Sequence, residues 1–551
     1  MRKVLTPLRL TVLLAVLALA LAVSACGGGS DDSTTDVADL GPDPATMAPA
    51  DAPFYIDAVV KPDGTMSEDL DSALSKLLAT DDPFGKLRSA IDDGLSSDPD
   101  SAGITYTDDI EPWLGARAGG FLSDYDPATD QGEGAVSFAI TDADAAQAFI
   151  DKASTLDPSS KTTDETYEGV DYKLDAADNS AVGIDGDFLV AGTEQGFKDA
   201  VDAGAGDSLA DNPDASAARD DAPDNSVFSG YVDTAAVIDL IKSSGALSGE
   251  QLKQFDEQVS KYSDGPIGFW GAAGPSSLMI GASGPTQDGA AGPSDLITSF
   301  PADSWLAFAS AGFGDQLETS IGQFKSGFEA ALKEQGGAGL NVDPLAELKQ
   351  STGLDLDTDL DWIGDIGGFV QGSSVLGLGG GLVLQATDED AAKATIGKLQ
   401  TALQGSGSLQ VTPTDTGFSI QVAGAPVGAE IGLQNGEVVL AVGGDTIDDV
   451  TSPSETLDGS DRFNAAADAL GDDVTPSFFL DFEPVISLFE STGQATQDPD
   501  YQSAKPYLDA LDYLVSGGKV DGDRTTASIV LGLKDATAES TDTAAAALTA
   551  P

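Results

Sequence analysis

Histidine is absent from this 551-residue chain, and cysteine occurs once, as Cys26. The first absence removes Ser–His and Cys–His nucleophilic pairs, imidazole acid–base catalysis and the usual zinc sites together. The second removes intrachain disulfides, so stability must come from packed cores. Basic residues are scarce as well: 26 Lys and Arg stand against 92 Asp and Glu, for a net charge of −66. That balance repels nucleic acid and anionic lipid, so no nucleic-acid partner is expected. No phosphate-loop or dinucleotide fingerprint occurs, since stretches such as Gly379–Gly381 lack the residues that would complete one. Carboxylate pairs could serve a glycosidase, but with so many acids any spacing arises by accident. The chain is therefore expected not to be an enzyme.

The N-terminus is better endowed. Arg2, Lys3 and Arg9 precede an apolar run from Thr11 to Val23, which is too short for the ~20 residues that span a bilayer but suits an export signal. Val23-Ser24-Ala25-Cys26 resembles the bacterial lipobox at all four positions. The resemblance implies that Cys26 becomes the mature N-terminus and carries acyl chains such as palmitate. Membrane attachment through lipid on the extracytoplasmic face then follows, because two or three chains hold far more firmly than one. Gly27–Thr35 reads GGGSDDSTT, a flexible polar tether.

The body, with 41% hydrophobic residues, has the composition of a globular chain, and it matches itself at offsets of 246 to 252 residues. Pro49-Ala50-Asp51 matches Pro301-Ala302-Asp303, and Trp113-Leu114-Gly115…Gly119-Gly120-Phe121 matches Trp362-Ile363-Gly364…Gly367-Gly368-Phe369. Thr141-Asp142-Ala143-Asp144 matches Thr387-Asp388-Glu389-Asp390, and two further matches keep the same order. Five collinear matches imply two tandem copies of one unit.

Each copy combines helix and hairpin signals. Leu70, Ala73, Leu74, Leu77 and Leu78 form an amphipathic stripe, with Thr65 and Glu68 at capping-box spacing before it. The Thr-Asp elements follow apolar runs and read as helix N-caps. Asp185-Gly186-Asp187 and Gln434-Asn435-Gly436 mark tight hairpins. The fold expected is α+β, each copy a largely antiparallel sheet with helices packed on one face. The expected divisions are a signal at 1–25, a tether at 26–47, repeats at 48–285 and 296–535, a linker within Gly281–Asp295, and a disordered tail at 536–551.

At the Pro-Ala-Asp and Trp-Leu-Gly motifs and the lipobox, the chain resembles bacterial lipoproteins of actinobacterial type that carry domain of unknown function 3352. The resemblance covers most of residues 45–535. It implies an envelope address and no established activity, and it transfers no functional residue.

For metal, the one candidate is Asp355, Asp357, Asp359 and Asp361, whose alternation would put four carboxylates on one side of an extended segment. Hard cations such as Ca²⁺ take oxygen ligands, but Leu360 and Ile366 stand where an EF-hand needs Gly and Glu. A solvated acidic strand edge is the favoured alternative, so Ca²⁺ is the only cofactor for which a case can be made. The Trp-Gly motif is expected to anchor the core and not to stack a ligand. Three roles stay open: a non-enzymatic envelope binding or scaffold module, favoured; a carrier of an apolar ligand such as a lipid; and a Ca²⁺-dependent adhesion or stability module. An envelope protein or an apolar ligand is the partner these roles imply.

Overall fold

The structure, a computed structural model, describes residues 40–534 apart from 98–100, 102, 127–130, 157–161, 244–248, 250, 254, 256–264, 287–291, 335–344, 375–376, 406–408, 423–427, 492 and 494–497. The signal, Cys26 and the 536–551 tail lie outside the described residues. Two compact units are present. The first comprises Met1–Asp288 with Val520–Ser528 and Leu533–Pro551, and the second Gly289–Lys519 with Ile529–Gly532.

In the first unit, alternating and apolar runs form β1 (Phe54–Val59), β2 (Leu114–Asp126), β3 (Gln131–Ile140), β4 (Thr162–Tyr167), β5 (Val170–Asp175), β6 (Ser180–Asp185), β7 (Phe188–Thr193), β8 (Ser226–Val232), β9 (Ile267–Gly274) and β10 (Ser277–Pro285). They pair antiparallel in the order β10–β9–β8–β1–β2–β3–β7–β6–β5–β4. The second unit holds β11 (Ser304–Ser310), β12 (Ile363–Gln371), β13 (Gly379–Ala386), β14 (Leu409–Pro413), β15 (Gly417–Val422), β16 (Gly428–Gln434), β17 (Glu437–Gly443), β18 (Thr475–Asp481) and β19 (Leu511–Asp521). These pair antiparallel as β19–β18–β11–β12–β13–β17–β16–β15–β14. The fold is α+β, and nine strands of each unit follow the same order.

The expectation of helices on one face is corrected for the first unit, where they cover both. Along β3, Val136 and Phe138 enter one apolar cluster, with Trp113 and with Phe149 and Ile150 of helix Ala143–Ala153. Ala135 and Ala139 enter another, with Phe197, Ala200 and Val201 of helix Glu194–Ala205. Successive strand residues point to opposite faces, so the two clusters lie on opposite sides of the sheet. The sequence carries the sign of this in Phe188-Leu189-Val190-Ala191 of β7, which is buried throughout. A continuous apolar strand has no face left for water.

Local chemistry follows the sequence closely at caps and turns. The carboxylate of Asp142 accepts from Ala145 N at 3.0 Å, and that of Asp388 from Asp390 N and Ala391 N at 3.0 Å each. Asn435 and Gly436 take φ of +54° and +83° between β16 and β17, as a primed turn requires. One cap differs. Helix Gly64–Leu77 starts after Asp63, with Gly64 at φ +52°, so Thr65 and Glu68 lie inside it.

Two segments expected to be irregular are structured. Gly281–Pro285, assigned above to the linker, completes β10 because its backbone pairs with β9. In the 26–47 segment, Pro44–Met47 form a 3₁₀ turn capped by Asp43, with Ala45 and Met47 buried in the core. This incoming segment crosses β2 at Gly119, where an added Cβ would stand 2.6 Å from Pro44 Cβ and 2.7 Å from the Tyr55 hydroxyl. In the second unit Phe300 lies over Gly367 in the same way, at 2.7 Å. Gly119 and Gly367 of the Trp-Gly motif thus leave room for side chains to press against the strand backbone.

Candidate functional site

Cys26 lies outside the described residues. The aspartates at 355–361 do not form the extended row expected of them. The segment is a series of turns, with Thr358 N and Asp359 N both donating to Asp355 O, and its carboxylates diverge toward different lysines. Asp355 pairs with Lys349, Asp357 with Lys325, and Asp359 with Lys398 at 2.6 Å; Asp361 is exposed. Among the described residues no group of three or more acids is placed to hold a metal ion.

Asp359 has a specific structural task. Its Oδ2 accepts from Asp355 N at 2.8 Å, closing the turn, and its backbone carbonyl accepts from Trp362 Nε1 at 2.7 Å. The first unit repeats the arrangement: Asp109 accepts from Thr105 N at 2.9 Å, pairs with Lys152 at 2.5 Å, and its carbonyl accepts from Trp113 Nε1 at 2.7 Å. Both indoles are buried, and the Trp113 and Trp362 carbonyls accept from Thr141 N and Thr387 N, each at 2.8 Å. Burial works against ionisation of Asp359 and Asp109, but the lysine and backbone donors win and hold both carboxyls below their ordinary value. The Trp-Gly motif is a core anchor, with its indole nitrogen satisfied locally.

A second polar constellation, which the sequence did not single out, lies in the first unit. Asp57 on β1 is buried; its Oδ1 accepts from Ser229 at 2.7 Å and its Oδ2 from Arg117 Nη2 of β2 at 2.5 Å. The same Nη2 donates to Asp43 at 3.1 Å, pinning the incoming segment to the sheet. Arg219, at the end of helix Pro213–Arg219, brings a second guanidinium alongside. It stands 3.8 and 3.7 Å from Asp43 and Asp57, and 5.2 Å above the ring of Tyr55. Burial disfavours both guanidinium charges, yet Asp57 and Asp43 outweigh it and raise their pKa. Burial, then the charge of Asp57, pushes the Tyr55 hydroxyl well up.

Asp43, Asp57, Arg117, Arg219 and Ser229 border a cavity of about 330 Å³, whose wall also includes Leu40, Val59, Ser226, Val227 and Phe228. Arg219 Nε and Ser226 Oγ are buried there with no hydrogen-bond partner. A separate cavity of about 410 Å³ is lined by Asp51, Asp199, Asp202 and Asp207, with Ser123 donating to Asp199 at 2.9 Å. The first cavity has two arginines beside apolar walls, whereas the charged groups of the second are all acids. A weak sequence signal existed: after the signal segment only Arg88, Arg117, Arg219, Arg462 and Arg524 are arginines, and two of them meet here.

A family described as "Protein of unknown function (DUF3352)" matches residues 12–531. Among solved structures, crystal forms I, III and IV of a protein titled TP0453 are similar in part. Each is 9% identical over 44% of this chain and 78–79% of that one, with TM-scores of 0.20, 0.21 and 0.22, too slight to carry an argument. No curated protein matches.

Proposed function

The chain belongs to the DUF3352 family, and from that premise we propose that it is an exported, lipid-anchored protein of the cell envelope acting as a non-enzymatic binding module. The anchor is Cys26, for the reasons of charge, run length and small residues set out from the sequence. The observation that carries the binding role is the cavity of about 330 Å³ lined by Arg117 and Arg219 together with apolar side chains, in a chain that has no histidine base. Both of these cavities are lined by charged side chains, which supports a polar ligand in them. The common strand order of the two units supports a tandem duplication in which only the first copy has the arginine pair.

Labelling of growing cells with an alkyne analogue of palmitate tests the anchor. The wild-type chain takes the label and sediments with membranes, and Cys26→Ser loses both; a Cys26→Ser chain that keeps its label overturns the anchor. Native mass spectrometry of the full chain extracted from its host tests the binding role, which predicts a non-covalent small-molecule adduct. Bare protein throughout, or turnover of an envelope ester or polymer by the pure chain, overturns it.

A further inference from the structure

We propose that Asp445 and Gln371 form a proton-operated clasp across the strand ends of the second unit, in which a proton on Asp445 Oδ2 completes a cyclic acid–amide pair. The clasp belongs to the second unit and stands independently of the binding role of the cavity at Arg117 and Arg219.

Two orphaned atoms are matched here. Gln371 Nε2, at the end of β12, donates to Asp445 Oδ1 at 2.8 Å. The remaining polar atoms of the same carboxamide and carboxyl, Gln371 Oε1 and Asp445 Oδ2, are both buried without a hydrogen-bond partner. Each is bonded to the same carbon as an atom of the existing contact, so the two groups already meet along one edge. Both orphans are acceptors, and turning the carboxamide over would only set oxygen against oxygen. A single donor is missing. No ligand can supply it, because both atoms are closed to solvent. A proton needs no cavity. With Oδ2–H donating to Oε1 both atoms are satisfied at once, whereas buried acceptors left bare are costly.

The backbone holds Asp445 in this position. Gly443 takes φ of +84° and presses on the start of β13, where an added Cβ would collide with Leu378 O and Gly379 Cα. Gly379 in turn lies under the carboxyl, so that an added Cβ would overlap Asp445 Oδ2. That contact leaves no room for a water on this side of the oxygen.

The electrostatics favour the proton. Burial acts most strongly on Asp445 and raises its pKa, and the charges of Asp449, in helix Ile447–Thr451, and of Asp303, just before β11, act the same way. The Gln371 donor and the nearby Gly380 amide oppose them without prevailing. Asp449 is itself kept ionised by the Thr446 hydroxyl and amide, at 2.7 and 2.9 Å. Two neighbouring carboxyls thus divide the roles, one carrying a charge and the other a proton.

The fold does not need this clasp. In the first unit β7 ends on Thr193, which itself caps the next helix by accepting from Gly196 N at 3.0 Å. In the second unit Gly444 and Asp445 stand between β17 and the corresponding cap, Thr446. They allow the carboxyl to reach a residue 74 positions away on β12. With its proton the pair has two hydrogen bonds. Ionised, it keeps one and leaves a buried carboxylate oxygen bare. A group whose folded pKa is raised adds stability that is complete below its unfolded pKa and is lost as pH rises through the folded value, so the strand ends are held more firmly in acid than at neutral pH.

The test follows the aspartate carboxyl carbons of the full chain in detergent by NMR, from about pH 3 to about pH 8. Asp445 is the resonance that Asp445→Asn removes, and the Gln371 side-chain amide is the one lost in Gln371→Met. Asp445 titrates above the ordinary aspartate value of about 3.9, and the Gln371 amide shifts with the same midpoint. Asp445→Asn, whose new amide donates to Gln371 Oε1 at every pH, raises the melting temperature at pH 7, and the gain disappears below about pH 4. Asp445 titrating at or below the ordinary value overturns the inference, as does a Gln371 amide that ignores that titration. An Asp445→Asn chain no more stable than wild type at pH 7, or one that fails to fold, overturns it as well.

Discussion

Lys398 holds both carboxylate oxygens of Asp359, at 2.7 and 2.6 Å, from the helix that follows β13. The pair ties that helix to the turn carrying Trp362, whose indole nitrogen donates to the Asp359 carbonyl at 2.7 Å. An aspartate that looked in the sequence like one member of a cation-binding row is thus a brace between turn, helix and buried aromatic.

Replacing Asp359 with alanine removes the bond that closes the turn and the contact with Lys398. A lost side chain–backbone hydrogen bond costs about 1 kcal/mol and a partly exposed ion pair up to about 1 more. Denaturant unfolding is therefore expected to show a loss of ~1–2 kcal/mol. Millimolar Ca²⁺, which would have to displace three lysines from Asp355, Asp357 and Asp359, leaves the melting temperature of the wild-type chain unchanged. A Ca²⁺-dependent rise that Asp357→Ala abolishes would reverse this assignment.

The pH dependence has two parts with opposite signs. Asp109 and Asp359 have folded pKa values below those of the unfolded chain, so their contribution is complete above the unfolded value. It is lost as pH falls below about 4 and through the folded values. Burial raises the Glu437 carboxyl, so its contribution is complete below the unfolded pKa and is lost as pH rises through the folded one. Stability curves of Glu437→Gln and wild type should therefore converge near pH 4, with the variant more stable at pH 7. A variant less stable at pH 7 refutes the sign.

Glycine to alanine changes should split by position. Gly119→Ala drives a methyl against Pro44 and the Tyr55 hydroxyl, and overpacking of this kind costs about 1–3 kcal/mol. Gly397, inside helix Glu389–Gly405, has nothing within 4 Å of an added Cβ, so Gly397→Ala stabilises by ~0.5–1 kcal/mol. Paired chemical melts check both, and a Gly119→Ala chain as stable as wild type would remove the close-approach role of the motif.

Trp113 is almost wholly buried, its ring 5.3 Å from Phe149 and 6.2 Å from Phe138. Trp113→Ala is expected to cost about 3–5 kcal/mol, the range for deleting a large buried aromatic. Loss of near-ultraviolet circular dichroism together with a lowered midpoint checks it. A ligand-platform role would instead leave stability near wild type.

Features decided within a few residues were legible. The Asp142 and Asp388 caps and the Asn435-Gly436 turn each follow from local side-chain chemistry or a local demand for positive φ. The glycines beside Trp113 and Trp362 could be read as points of close approach, though not what would approach them. The run Phe188–Ala191 held the information that both faces of the sheet are covered, and hairpin alternation elsewhere obscured it. Pro44–Met47 and Gly281–Pro285 looked irregular from their Pro and Gly content, yet tertiary pairing and burial order them.

By itself the sequence determined the excluded chemistry, the acidic character, the mixture of helices with antiparallel strands, and the caps and turns, because each depends on composition or on neighbours along the chain. Tertiary structure alone decided which lysine meets Asp359, that helices flank both sheet faces of the first unit, and that Arg117 and Arg219 share one cavity with Asp57. Those relationships join residues tens to more than a hundred positions apart. Among so many carboxylates, nothing local says which one a scarce cation will reach; strand order and helix placement do.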